Sequence, residues 1–132
     1  MERVYLDTDC VLALVKDQDW LKGSVLSRIK NEDSLVTSVL TVVEMRLVLL
    51  RDMNIKKVVE KERSFESYQI ELIPFEEDIQ KISLELMSKY EFLTTFDAVH
   101  AATAISHQIK LISTDRSFPR IKGLLVEDPR RN

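Results

Sequence analysis

Four acidic side chains have corresponding places in the sequence, each directly after a predicted strand or early in the helix that follows. They are Asp7, Glu44, Asp97 and Asp115. Carboxylates that are crowded together repel one another, and a nearby cation favours their charged forms. A set of oxygen ligands without Cys suits a hard ion, Mg²⁺ or Mn²⁺, which keeps water ligands and recruits phosphate oxygens. The four acids therefore predict hydrolysis of a phosphoester, with a water activated by one or two ions.

A local structural role is the alternative for each acid taken singly. Two of them lie three residues after a Thr, in the capping-box pattern, as Thr41-x-x-Glu44 and Thr94-x-x-Asp97. Asp7 or Asp9 can cap the first helix, and Asp115 can belong to a turn. Caps and turns are common, but the similar placement of all four acids favours a shared cation site.

The segments that must position these acids alternate between strands and helices. Short apolar runs predict strands at RVYLD, SLVTS, IELIP and IKLIST, and a fifth at GLLVED. Helical patterns separate them, including an amphipathic helix over residues 54 to 68. This order predicts a mainly parallel sheet of about five strands with helices on both faces. Ligands bind outside the carboxyl ends of such strands, so Asp7 and Asp115 share one crevice if the first and fourth strands are neighbours.

The composition indicates a water-soluble globular protein, and we expect residues 1–132 to form a single domain. The sequence has no long apolar segment and no signal-peptide pattern, which predicts a cytoplasmic protein without a membrane partner. Its single cysteine, Cys10, cannot form an internal disulfide. The net charge of −3 gives no general attraction to nucleic acid, although residues 110–132 carry six basic and three acidic side chains.

Four sequence blocks resemble, in order, those of the PIN-domain ribonucleases, and within them the VapC-type toxins of toxin–antitoxin pairs. The blocks are VYLDTDCVLALV, LVTSVLTVVEM, TTFDAVHAATAI and LISTDRSF. The resemblance extends over nearly the whole chain and assigns the family's metal-binding acids to the four acids named above. It also places Thr8 and Thr114 beside them as accessory hydroxyls.

This resemblance implies a three-layer α/β/α sandwich, usually dimeric, that cleaves RNA with Mg²⁺ or Mn²⁺. It also implies a small antitoxin that blocks the site, commonly by inserting a basic side chain among the acids. The sequence departs from the family pattern at Ser117, where many relatives have a further acid, which leaves open whether one or two ions bind. Asp9 stands where relatives often carry Asn or Ser, and we interpret it as a helix cap in preference to an accessory ligand.

Two other functions fit parts of the sequence. The stretch LDTDCVL matches the D-x-D motif of haloacid dehalogenase-like phosphatases, in which Asp7 would be a covalent nucleophile and Asp9 a general acid. That fold needs a downstream Gly-Asp or Asp-Asp loop for Mg²⁺ and normally a longer chain, and neither Gly23 nor Gly123 is placed in such a loop. The remaining alternative is a PIN-like RNA-binding module without catalysis, for which an acid cluster would have no use.

Basic residues close to the acids are the best candidates for RNA contact. Arg116 and Arg120 follow Asp115 within about one helical turn, and Arg46 lies two positions after Glu44. We expect these three arginines to bind phosphate groups.

Two histidines and two aromatic residues have both a structural and a functional interpretation. His100 lies on the same helix face as Asp97 because the two are three residues apart. Packing is favoured over metal binding for this His and for His107. Trp20 and Phe65 fit either the core or a surface that contacts a second copy or an antitoxin.

Overall fold

A sheet of five parallel strands lies at the centre of the computed structural model, which describes residues 2–29 and 33–131. In chain order the strands are β1 (Arg3–Leu6), β2 (Ser34–Ser38), β3 (Glu71–Ile73), β4 (Lys110–Ile112) and β5 (Val126–Glu127). Their order across the sheet is β3-β2-β1-β4-β5, and every neighbouring pair is parallel. The predicted parallel sheet is confirmed, and β1 and β4 are neighbours as the shared crevice requires.

Helices cover both faces of the sheet. They are α1 (Thr8–Val15), α2 (Lys22–Arg28), α3 (Val39–Leu49), α4 (Ile55–Glu66), α5 (Glu77–Lys89) and α6 (Thr95–Ser106). The first four helices contribute to one apolar cluster, while α5, α6 and a 3-10 turn at Phe118–Arg120 contribute to a second. The fold is therefore the predicted three-layer α/β/α sandwich.

The central strand shows how the sequence separates the two clusters. Val4 and Leu6 point into the cluster formed with α1 to α4, whereas Tyr5 points into the cluster formed with α5 and α6. All three side chains are fully buried, because a strand covered on both faces directs successive side chains to opposite layers. None of the helices described here is long and apolar enough to cross a membrane.

The helix N-termini differ in part from the predicted caps. The residue that caps α1 is Asp7, whose carboxylate accepts a hydrogen bond from the Thr8 amide, so the prediction that Asp9 is the cap was wrong. Helix α3 begins earlier than a cap at Thr41 would require, with Ser38 as its cap. At α6, by contrast, Thr94 is the cap and its hydroxyl accepts from the Asp97 amide, as the capping pattern predicted.

Candidate active site

The candidate site lies at the carboxyl edge of the two central strands. Asp7 directly follows β1, and Ser113, Thr114 and Asp115 directly follow the neighbouring β4. The Asp7 amide continues the pairing of the strands by donating a 3.1 Å hydrogen bond to the Ile112 carbonyl. Residues from opposite ends of the sequence are thereby placed side by side.

The Asp7 carboxylate is buried, with 7% of the residue exposed, and both its oxygens accept hydrogen bonds. One accepts from the Thr8 amide at 2.7 Å and the other from the Ser113 hydroxyl at 2.7 Å. The Ser113 oxygen in turn accepts from the Asp115 amide at 3.0 Å, which ties the two acidic loops together. Burial raises the pKa of Asp7 to about 6, although the charge of His100 and the bond from Ser113 oppose this rise.

Glu44 is held by two side chains that come from other elements. The Thr8 hydroxyl donates to Glu44 Oε1 at 2.6 Å, and His100 Nε2 lies 3.0 Å from the same oxygen. His100 Nε2 is also 3.0 Å from the Thr8 hydroxyl. A carboxylate only accepts hydrogen bonds, so Nε2 carries a proton. The other ring nitrogen, Nδ1, lies 2.6 Å from the buried Tyr5 hydroxyl.

This network favours one arrangement of charges. Burial alone would raise the pKa of Glu44, but the hydrogen bonds from His100 and Thr8 lower it below its ordinary value. Burial would likewise lower the pKa of His100, but its hydrogen bond to Glu44 and the surrounding carboxylate charges raise it. Burial also raises the pKa of Tyr5, so its hydroxyl stays protonated. Glu44 is therefore ionised opposite an imidazole whose charged form is favoured.

The other acids interact with this centre through their charges. Burial raises the pKa of Asp97, and the charge of Asp115 raises it further, while hydrogen bonding with Thr94 opposes the rise. Partial desolvation raises the pKa of Asp9, and the charges of Glu44 and Asp115 add to this effect. Asp115 accepts a 2.8 Å hydrogen bond from the Ser117 amide, so it also closes a turn. The charge of Asp115 therefore disfavours the ionisation of both Asp97 and Asp9.

The carboxylate oxygens of the site are suitable ligands for a hard divalent ion, but they are not arranged as a complete coordination shell. Among residues 2–29 and 33–131, no three Asp, Glu, His or Cys side chains converge in positions that could hold a metal ion. Their oxygens are instead engaged by hydroxyl, amide and imidazole donors. Mg²⁺ needs only one or two protein carboxylates because it keeps waters and takes further oxygens from phosphate. The mutual repulsion of the acids is the feature that such an ion would relieve.

The three arginines predicted to contact RNA have different surroundings. Arg116 is exposed and lines a groove of about 890 Å³ together with Thr114 and Asp115. Arg46 instead makes a salt bridge with Glu62 through its guanidinium. The guanidinium carbon of Arg120 lies 4.1 Å from the centre of the Phe92 ring. Arg116 is thus the one of the three that lines the groove beside Asp115.

The sequence matches a known protein family over most of its length. The match is to the PIN domain and spans residues 4–124. The chain belongs to the PIN-domain family. This membership agrees with the four sequence blocks, and it favours the PIN-like alternatives over the haloacid dehalogenase-like one. No curated protein matches the sequence significantly.

Several solved structures share the fold of this PIN domain. VapBC2 from Rickettsia felis, bound to a DNA fragment from its promoter, has a TM-score of 0.75 at 18% identity and covers 95% of this chain and 97% of that chain. A toxin–antitoxin complex from Klebsiella pneumoniae has a TM-score of 0.72 at 23% identity, with coverages of 96% and 97%. VapC20 from Mycobacterium tuberculosis, a toxin that cleaves the sarcin–ricin loop, has a TM-score of 0.75 at 17% identity, with coverages of 89% and 93%. At these identities the likeness establishes the fold.

Sequence reasoning missed three buried side chains of this PIN domain that support the acids. His100 contacts Glu44 and is itself hydrogen-bonded to Tyr5, and Ser113 contacts Asp7. The spacing of Asp97 and His100 placed the imidazole on the face of α6 that carries an acid, which was the available signal. The position of Ser113, directly after an apolar strand and two residues before Asp115, was a second signal.

Proposed function

We propose that residues 1–132 form one nuclease domain that hydrolyses RNA phosphodiester bonds with Mg²⁺ or Mn²⁺, as the toxin of a toxin–antitoxin pair. The observation that carries this proposal is the joining of the loops after β1 and β4, in which the Ser113 hydroxyl donates a hydrogen bond to Asp7 and accepts one from the Asp115 amide. It is supported by membership of the PIN-domain family. The sarcin–ricin loop cleaved by VapC20 is an RNA substrate of one protein with this fold.

The proposed ion ligands and catalytic residues are Asp7, Glu44, Asp97 and Asp115. When bound, the ion would supply an activated water and neutralise the charge that develops on the phosphate. Thr8 and Ser113 orient the carboxylates of Glu44 and Asp7 through their hydroxyl groups. Thr114 and Asp9 are proposed as accessory residues. Thr114 lines the groove, and burial and the charges of Glu44 and Asp115 raise the pKa of Asp9.

Arg116 is the first proposed contact for the phosphates of RNA because it lines the groove beside Asp115. Arg120 stacks on the Phe92 ring, and Arg46 forms a salt bridge with Glu62. Each of these two arginines has to give up an existing contact before it binds RNA. We therefore expect substitution of Arg116 to weaken RNA binding more than substitution of either of these two.

A small antitoxin and a second copy of the chain are the proposed protein partners. The solved structures of the same fold include a VapBC complex from Rickettsia felis and a toxin–antitoxin complex from Klebsiella pneumoniae. An acid cluster offers a binding site for a basic side chain of such a partner. Analytical ultracentrifugation of the purified chain tests the dimer, and a protein that co-purifies in equal amount and suppresses cleavage identifies the antitoxin.

The nuclease function is tested by incubating the purified protein with a panel of RNAs and with Mg²⁺, Mn²⁺ or EDTA. Asp7→Asn and Asp97→Asn should abolish cleavage, whereas Asp52→Asn should not, because Asp52 is an exposed aspartate in the turn after α3. Cleavage that persists in EDTA or in both site variants would contradict the proposed mechanism.

The same assay separates the two alternative functions. A phosphomonoester that is hydrolysed while every RNA stays intact would support a phosphatase in which Asp7 is the nucleophile. RNA that is bound but left intact with either ion would support a PIN-like binding module without catalysis.

A further inference from the structure

Trp20 is a large aromatic side chain that the core leaves exposed. Its exposed fraction is 73%, whereas its neighbour Leu21 is 1% exposed and anchors the segment in the core. The Asp19 carboxylate accepts a 2.9 Å hydrogen bond from the Leu21 amide, and the Asp19 carbonyl accepts from the Lys22 amide at 3.1 Å. The backbone on both sides of Trp20 is therefore fixed, and the ring is presented to solvent from an ordered turn.

A cation lies beside this ring. The guanidinium carbon of Arg130 is 5.6 Å from the centre of the Trp20 ring, within the range of a cation–π interaction. That guanidinium is held by Asp128, whose two carboxylate oxygens accept from Arg130 Nε at 2.9 and 3.2 Å. The aromatic ring and the cation therefore form one preorganised surface.

This surface adjoins the groove that contains one of the site acids. Asp128 and Arg131 line the groove together with Asp115 and Arg116. Arg130 lies between these two groove residues in the sequence, and its contact with Trp20 brings the ring close to this part of the groove, although the ring itself does not line it.

The groove also carries positive charge that is available to a ligand. Within the part of the chain that the structure describes, neither Arg116 nor Arg131 makes a salt bridge. Other basic groove residues are engaged, since Arg28 binds three acids and Lys110 binds two. A polyanion that enters the groove thus finds two arginines, one of them next to Asp115.

We infer that Trp20 is a stacking platform for an unpaired base of an RNA strand whose phosphates contact Arg131 and Arg116 on the way to the acids. This inference rests on the proposed ribonuclease function and adds to it a residue that holds a base of the strand outside the acids. Bases within a duplex are stacked on one another, whereas an unpaired base can stack on an exposed aromatic ring. The adjoining arginines favour a nucleic acid strand over an apolar protein surface as the ligand of this ring.

The fluorescence of Trp20 gives a direct test, because it is the only tryptophan in the chain. A single-stranded RNA that is cleaved in the panel is titrated into full-length Asp7→Asn protein, so that it stays intact. We expect quenching by this strand and none by the same sequence in a duplex. Quenching that is equal for both, or absent for both, would overturn the inference.

Steady-state cleavage gives a second and independent measurement. Trp20→Ala should raise KM about ten-fold with kcat unchanged, and Trp20→Phe should restore much of the loss. Leu84→Ala is the matched control, since Leu84 is 68% exposed on the distant helix α5 and should have no effect.

The outcomes distinguish this inference from the proposed function. If no RNA is cleaved by the unaltered protein, the ribonuclease function fails. If RNA is cleaved but Trp20→Ala leaves KM unchanged, the inference about Trp20 is wrong, whereas the proposed ribonuclease function is supported. In that second case, loss of antitoxin binding in Trp20→Ala would show that the ring contacts a protein instead.

Discussion

The imidazole Nε2 of His100 lies 3.0 Å from Oε1 of Glu44, a residue 56 positions earlier in the chain. The contact joins α6 to α3 across the candidate site. The Thr8 hydroxyl, at the start of α1, is within hydrogen-bond distance of both side chains. The orientation of the Glu44 carboxylate is therefore fixed by residues of three helices. His100 acts as a positioning residue, because it holds an acid in place and its own imidazole is buried.

Replacing His100 should destabilise the protein. His100→Ala leaves the Tyr5 hydroxyl without its partner and opens a cavity, so we expect a loss of about 2 to 4 kcal/mol in the free energy of unfolding. Urea denaturation measures this loss. His107→Ala, at the C-terminal cap of the same helix, is the control, and its effect should stay within about 0.5 kcal/mol, because the bond of His107 to Glu76 is exposed. Equal losses in the two variants would contradict the role of His100.

The Tyr5 hydroxyl and His100 should be energetically coupled. Their 2.6 Å hydrogen bond is buried, so Tyr5→Phe should cost about 1 to 2 kcal/mol of stability. In a double-mutant cycle with His100→Ala, the two losses should be non-additive by about 0.5 to 3 kcal/mol. Additive losses would mean that the two side chains contribute independently. The cycle uses the same urea denaturation curves.

The stability of the protein should fall as Asp7 ionises. Burial raises the pKa of this carboxyl from an ordinary value of 3.8 to about 6, so the folded state binds the proton more tightly than the unfolded chain. The stability that comes from this tighter proton binding is fully present below the pKa of Asp7 in the unfolded chain. It is lost as the pH rises through about 6, the pKa of Asp7 in the folded protein. A shift of this size corresponds to about 3 kcal/mol.

Asp7→Asn isolates this effect from the titration of other groups. The amide cannot ionise, so the variant should become more stable than the unaltered protein by up to about 3 kcal/mol at about pH 8. The difference should shrink towards low pH, where Asp7 is protonated in both states. Unfolding curves of both proteins across the pH range measure it, and a difference that does not change with pH would exclude a raised pKa.

Mg²⁺ or Mn²⁺ should stabilise the folded protein by mass action. At an ion concentration about 100 times the Kd, the gain in the free energy of unfolding is about 2.7 kcal/mol. The melting temperature should rise with either ion in the unaltered protein and in Asp52→Asn, and stay constant in a double variant that combines Asp7→Asn and Asp97→Asn. A rise in the double variant would place the ion elsewhere.

The sheet and the positions of the four acids were predictable because both depend on local patterns. Apolar runs that end in polar residues predict strands, and parallel strands bring the loops at their carboxyl ends to one edge. The neighbouring positions of β1 and β4 then place Asp7 and Asp115 in adjacent loops. The order of the strands was not predictable in this way, because it depends on contacts between distant residues, and the structure supplied the pairing of β1 with β4.

The contacts around the acids could not be predicted in the same way. The meeting of Tyr5, Glu44 and His100 depends on how α3 and α6 are rotated against the sheet, and sequence spacing does not give that rotation. The same limit applies to Arg120, which lies against the Phe92 ring although its position in the sequence suggested contact with phosphate. The cap of α1 was assigned to Asp9 instead of Asp7 because both are acids at the end of one strand.

The hydrogen bond between Ser113 and Asp7 joins residues 106 positions apart, and it has a consequence for the cell that makes this chain. During translation, Asp7 leaves the ribosome long before Ser113 and Asp115 are synthesised. The central strand β1 likewise lacks its neighbour β4 until residues 110–112 have emerged. A nascent chain therefore cannot bring these acids together until residue 115 has emerged, so the candidate site is assembled late in the synthesis of residues 1–132.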